Sequence, residues 1–318
     1  MSDSTRRTGG TIGHLLVSPL CLGGNVFGWT ADLEESFEVL DAYVGAGGNF
    51  LDTADGYSAW VEGNVGGESE TIIGDWLAAR GRRDEVVLAT KIGAHPRHKG
   101  LAPETIRGAV EDSLRRLRTD HIDLLYTHFD DETVPVAEII DTLDALVQAG
   151  TVREIGASNI SSERLADSLA HSAAHDTARY VALQPHYNLV SRDTFEGPLA
   201  EVARTHSLAV VPYYALAAGF LTGKYRPGRT VASARAGRVA ELVDSERGQR
   251  VLSVLDEVAA AHAAEPASVA LAWLAAQPGV VAPLASARTV DQLPSLLAVG
   301  ELVLTESEVT RLTEASAG

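Results

Sequence analysis

The sequence predicts a single α/β domain folded as a (β/α)8 TIM barrel, with an N-terminal hairpin and long loops at the mouth formed by the C-terminal strand ends. Three observations lead there. From Asn49 onward, short apolar, β-branched runs alternate with longer amphipathic segments, the rhythm of repeated βα units and a parallel sheet. The chain has 318 residues, 45% of them hydrophobic, enough for one large core of the size that barrels use as a single domain. The alternative, an open doubly wound sheet, usually carries a G-x-G-x-x-G turn after its first strand. Here Gly45-x-Gly47 has Phe50 in the third place and precedes a strand instead of following one.

In chain order, residues 1–10 are polar and expected to be disordered, so the domain spans residues 11–318, and residues 11–18 are expected to form a hairpin across the barrel bottom. Strands are predicted at residues 19–22, 49–52, 86–91, 122–127, 152–157, 180–184, 209–213 and 280–284. Helices are predicted at residues 69–79, at 103–117 with a proline at its start, at 136–149 closed by Gly150, at 161–171, and at 306–315 near the end. The stretch 215–246 is too long for an ordinary connection and follows a strand end, the position of lids and binding loops. The uncharged stretch 267–287 has the length of a bilayer helix, but Gln277-Pro278-Gly279 and Pro283 break it. It is therefore expected to be a helix followed by a short buried strand.

A formal charge of −17 argues against nucleic acid and anionic membranes as partners, and it means that any anionic cofactor needs a local basic site. Lys91, Lys99 and Lys224 are the only lysines among the cations. The single cysteine, Cys21, excludes an internal disulfide, and the polar N-terminus has no apolar run, so a cytoplasmic location is expected.

Three successive predicted strands end on Asp52, Lys91 and His128, and each interval holds one strand, one helix and their loops, which need roughly 30 residues or more. In a barrel these ends are neighbours at the face where such folds keep their chemistry. Tyr57 lies in the turn just beyond Asp52 and can fold over the same mouth. An ammonium beside a phenol lowers the phenol pKa, while a carboxylate paired with the lysine limits its desolvation, which makes a tunable proton donor. His128 is placed to hydrogen-bond a carbonyl oxygen or to relay the proton. Singly, these residues would read as an ion pair, a rim aromatic and a satisfied histidine; four together at adjacent strand ends point to a site.

The segments Asn49-Phe-Leu-Asp52-Thr-Ala-Asp-Gly-Tyr57, Leu88-Ala-Thr-Lys91, Asp123-Leu-Leu-Tyr-Thr-His128 and Arg153-Glu-Ile-Gly156-Ala-Ser158-Asn159 resemble the aldo-keto reductase family, in the family's order. The resemblance implies a catalytic tetrad with Tyr57 as general acid, Lys91 and Asp52 as its tuners and His128 as carbonyl orienter. A histidine at position 128, where members that reduce a steroid carbon–carbon double bond have glutamate, implies carbonyl chemistry. The resemblance also implies NADP (NADPH) as cofactor, a small carbonyl compound as substrate partner, and reduction of an aldehyde or ketone by hydride transfer.

The cofactor groups follow on the same basis. Ser158, Asn159 and Gln184 suit a carboxamide, and Tyr213 matches the aromatic that stacks on nicotinamide, with Tyr214 and Ala215 replacing the usual serine and proline. Leu216 and Gly219 to Lys224 match the pyrophosphate loop, and Ser286, Arg288 and Gln292 match the segment that holds the 2′-phosphate and adenine, favouring NADP over NAD. At this last segment the family more often has glycine in place of Ser286, and Glu-Asn in place of Ser295-Leu296.

Trp29, Trp60, Phe129 and Tyr187 fall on mouth loops and are expected to wall an apolar substrate pocket. No metal is expected: His171 and His175, next to Asp176, lack a third ligand, and His95 and His98 form a loop cluster beside Lys99. A metallohydrolase using Asp52 and His128 would place Lys91 between its ligands. The other readings are a cofactor-sensing regulatory subunit resembling potassium-channel β subunits, and an aldose dehydrogenase running in the oxidative direction.

Overall fold

A computed structural model describes residues 9–228, 231 and 236–317. Eight parallel strands run in the order β7-β6-β5-β4-β3-β2-β1-β8. They are β1 Cys21–Gly23, β2 Phe50–Asp52, β3 Val87–Ile92, β4 Ile122–Thr127, β5 Val152–Ser158, β6 Tyr180–Gln184, β7 Ala209–Val210 and β8 Leu284–Ala285. Hydrogen bonds from Val210 N to Gly279 O, from Val281 N to Val210 O and from Leu284 N to Pro212 O join the two outer strands and close the sheet into the barrel. Regular pairing in β7 and β8 is shorter than the predicted 209–213 and 280–284 because Pro212 and Pro283 have no N–H to donate.

Alternation along each strand decides what faces the barrel axis. Phe50, Ala89, Leu124, Tyr126, Ala182 and Ala209 belong to the inner core, while Leu51, Leu88, Leu125, Ile155 and Leu183 pack outward against the helices. Continued two residues further, the inner rows arrive at Asp52, Lys91, His128 and Gln184. The strand period that fills the barrel thus stacks its polar residues at one end. Gly156 is required within this layer: a Cβ there would lie 2.5 Å from the Tyr126 ring.

The predicted hairpin is present as Gly10–Ile12 paired antiparallel with Leu15–Val17, and it plugs the other end of the barrel with Ile12, Leu15 and Val17. Gly10 is therefore strand, contrary to the disorder expected for residues 1–10; residues 1–8 lie outside the described residues. The predicted helices are α2 Glu68–Arg80, α3 Pro103–Leu117, α4 Val136–Gln148, α5 Ser162–His175 and α11 Glu306–Ala315; α1 Leu33–Gly45 precedes them, and α6 Pro198–Thr205 and α10 Leu293–Leu297 lie between α5 and α11. α5 runs one turn past the predicted end because the backbone stays helical until Asp176 turns left-handed. In the predicted long loop, Ala217–Thr222 forms short turns kinked at Ala218 and Gly219, both with positive φ, and Ala236–Asp244 forms α7; residues 229–230 and 232–235 of that loop lie outside the described residues.

After α8 Glu246–Ala261, the uncharged stretch forms helix α9, Pro266–Ala275, buried within this chain from Ala267 to Ala275. Among the described residues, no single helix is long and apolar enough to cross a membrane.

Candidate active site

Asp52 ends β2 and Lys91 lies near the end of β3, both on the inner row, and their side chains are 0% and 2% exposed. Lys91 Nζ donates three hydrogen bonds: to Asp52 Oδ1 at 2.5 Å, to the Thr53 carbonyl at 2.7 Å and to the Tyr57 hydroxyl oxygen at 3.0 Å. An ammonium has three donors, so its capacity is met. The second Asp52 oxygen accepts from Gln184 Nε2 at 2.9 Å.

The loop carrying Tyr57 is tied down on both sides. Asp55 N donates to the Lys91 carbonyl, Gly93 N donates to Asp55 Oδ2, and Ser58 Oγ donates to the Phe27 carbonyl. Tyr57 meets the His128 ring edge-on with centroids 5.9 Å apart. His128 Nδ1 is buried and has no hydrogen-bond partner among the described residues.

Burial pushes the Tyr57 hydroxyl up to about 12; Lys91 opposes this and Asp52 adds to it. The expected lowering of the phenol by the ammonium is therefore outweighed in the free protein, because withdrawal from water penalises a phenolate more than one shared cation relieves it. Burial also works against the Lys91 ammonium, but Asp52 and Tyr57 hold it charged, above its ordinary value. Burial and then Lys91 pull His128 down to about 3. Its imidazole is neutral at physiological pH, with one ring N–H to donate and one nitrogen to accept, which suits a hydrogen-bond partner.

The groups expected to hold a cofactor meet beside Asp52, Tyr57, Lys91 and His128. Ser158 Oγ donates to the Gln184 carbonyl, Asn159 Nδ2 donates to the His128 carbonyl, and the Tyr213 hydroxyl donates to Asn159 Oδ1 at 2.7 Å. The Tyr213 ring stacks on His186 with centroids 5.5 Å apart. After β7, Leu216 O accepts from Gly219 N. Gly219 has φ +94°, and a Cβ on it would come within 3.2 Å of Lys224 Nζ, so the turn wraps closely around an ammonium. After β8, Ser286 Oγ donates to Asn25 Oδ1, and Gln292 Oε1 accepts from Arg288 N. Arg288 is exposed, and its guanidinium has no acidic partner among the described residues. Amides and a hydroxyl beside an aromatic ring, then two cations in an acidic chain, fit an amide-bearing ring linked to phosphates.

Of the expected pocket walls, three gather at the mouth. Trp29 meets Trp60 edge-on at 5.6 Å, Trp60 meets Tyr57 at 6.1 Å, and Phe129 stacks on His128 at 4.7 Å. Trp60 and Phe129 are 54% and 51% exposed. Tyr187 does not join them. It is buried, packs on Phe195 and Trp273, and donates its hydroxyl to Glu196, because its ring turns outward toward α9.

His186, Asn25 and the Thr53 carbonyl are members of this neighbourhood that sequence reasoning missed. His186 sits two residues beyond Gln184, so the strand-end rule could have found it; Thr53 contributes backbone and carries no side-chain signal. His171 and His175 stack on each other with centroids 4.2 Å apart, and their ring nitrogens go to Asp141 and to the His171 carbonyl. The other histidine pair is not an open loop cluster: Ala94–His95 and His98–Lys99 form a hairpin, and His95 is buried.

The model of the aldo/keto reductase family matches residues 19–317. The chain is similar to Protein tas of Escherichia coli, 33% identical over 325 residues and covering 94% of both chains. It is also similar to norsolorinic acid reductase B of Aspergillus parasiticus, at 33% identity over 94% of this chain and 81% of that one. An uncharacterized oxidoreductase of Bacillus subtilis, YrpG, is 36% identical over 94% of this chain and 91% of its own.

Proposed function

The chain belongs to the aldo/keto reductase family of oxidoreductases, and from that premise we propose that it reduces the carbonyl of a small aldehyde or ketone with NADPH, Tyr57 serving as general acid. The observation that carries this reading is the hydrogen bond from Lys91 Nζ to the Tyr57 oxygen. Since the lysine occupies a lone pair of that oxygen, the phenolic proton is left to point away from it, toward whatever occupies the mouth. When bound, NADPH supplies the hydride to the carbonyl carbon. Tyr57 gives its proton to the carbonyl oxygen, and Lys91, kept charged by Asp52, stabilises the phenolate left behind. His128, neutral, donates a ring N–H to the same oxygen.

Ser158, Asn159 and Gln184 hold the carboxamide in this reading, and Tyr213 supports the nicotinamide ring. Leu216, Gly219 and Lys224 cover the pyrophosphate, while Ser286, Arg288 and Gln292 take the adenosine end. Trp29, Trp60 and Phe129 wall the substrate side. A panel of aldehydes and ketones assayed by loss of NADPH absorbance tests the proposal. Tight NADPH binding with no oxidation by any of them would overturn it.

Arg288→Ala is expected to weaken NADPH by roughly ten- to a hundred-fold and NADH far less, because only NADPH presents a 2′-phosphate to the guanidinium. Titration of both cofactors checks this, and equal losses would remove Arg288 from the 2′-phosphate site. Chelators are expected to leave turnover unchanged, since side chains account for every proton transfer. Reversible inhibition by a chelator would favour the metallohydrolase instead.

A further inference from the structure

Gln184 is 1% exposed and touches two machineries at once. Its backbone carbonyl accepts from Ser158 Oγ, and its side-chain nitrogen donates to Asp52 Oδ2. Asp52 thus divides its two oxygens, one for Lys91 and one for Gln184. No other donor to Oδ2 is found among the described residues, and a carboxylate withdrawn from water needs its lone pairs filled to stay ionised.

We propose that Gln184 is a positioning residue that holds the Asp52 carboxylate ionised for Lys91, so that the carboxamide site and the proton-donating tetrad share one side chain. This inference rests on the reductase reading for its consequence in turnover; the anchoring of Asp52 does not. A primary amide suits the task because its N–H₂ donates to Asp52 while its oxygen remains an acceptor. Occupancy of the carboxamide site and the charge state of the tetrad are then coupled through one rigid group. The charged and titratable groups around the contact are Lys91 from β3, Tyr57 from the loop after β2, Cys21 from β1, Tyr126 from β4 and His128 beyond it. Among these, only Lys91 brings a positive charge at neutral pH, so Asp52 has no second cation to replace the lost donor.

Two variants with opposite pH signatures test this. Gln184→Met keeps the length and removes the donor. Asp52 then holds its proton more tightly, and the acid limb of the kcat/KM profile should move up by about one pH unit or more. Gln184→Glu places a second carboxyl against Asp52. While protonated, that carboxyl can donate to Oδ2 as the amide did; once ionised, it repels. Its folded-state pKa is raised, so its stabilising contribution is present in acid and lost as pH rises through that value. Activity of Gln184→Glu should therefore fall at least tenfold between acid and about pH 8, measured against its own value in acid.

The same dependence should appear without cofactor or substrate. The Tm of cofactor-free Gln184→Glu should be close to wild type near pH 5 and drop progressively toward about pH 9, while Gln184→Met shows a roughly constant deficit above about pH 6. This measurement separates failure of the inference from failure of the reductase reading, which wild-type NADPH turnover tests alone. A Tm deficit for Gln184→Glu that is constant with pH would overturn the proposal, together with kcat/KM profiles of both variants whose pH limbs keep the wild-type position. Gln184 would then be a carboxamide contact and nothing more.

Discussion

Tyr57→Phe is expected to lower turnover by about two or more orders of magnitude while leaving NADPH affinity within a few-fold, the pattern of a lost transition-state proton donor. The ring stays, so its edge contacts with Trp60 and His128 persist, and the substitution removes only the oxygen that accepts from Lys91. Lys91 retains Asp52 and the Thr53 carbonyl, and the folded state should be little disturbed. Single-turnover kinetics with preloaded NADPH, alongside a fluorescence titration of the cofactor, separates the two effects. Wild-type turnover with NADPH bound would overturn the assignment of Tyr57 as general acid.

Lys91→Met should be as damaging to turnover and should also affect stability. The phenolate formed when Tyr57 gives up its proton loses its nearest cation, and the buried Asp52 loses its counter-ion. Removing one partner of a buried pair costs about 3–5 kcal/mol. Burial already raises the Asp52 carboxyl, and the substitution removes the main opposing influence. A group whose folded pKa is raised contributes stability that is present in acid and lost as pH rises, so the Tm deficit of Lys91→Met should be smallest at low pH and widen upward. In turnover, the double variant Tyr57→Phe with Lys91→Met should be scarcely worse than Tyr57→Phe alone, because the two residues act as a unit. If Lys91 were only a structural ion pair, the losses would multiply.

Much of this was readable from residues alone. A strand period of two and a βα repeat place any polar residue at the end of an inner row into the barrel mouth, whichever strand carries it. Asp52, Lys91, His128 and Gln184 were legible for that reason, as were the strands Ile122–Thr127 and Tyr180–Gln184, while helical patterning and the proline at its start set Pro103–Leu117, and amphipathic spacing set Glu306–Ala315. Tyr187 escaped the rule because it lies beyond the regular strand, where a loop is free to turn a ring outward; burial against Trp273 then outweighed exposure at the mouth.

By itself, the sequence determined the barrel, the order of its strands and which ionisable groups share its open end, since these follow from local periodicity and chain order. The tertiary structure alone decided how those groups divide their hydrogen bonds and in which direction burial and neighbouring charges shift each one's proton affinity. Lys91 spends all three donors, Asp52 splits its oxygens between Lys91 and Gln184, Tyr57 is pushed up to about 12 and His128 down to about 3. Those outcomes depend on distance through space and on removal from water, and both are properties of the packed site that residue spacing along a chain does not carry.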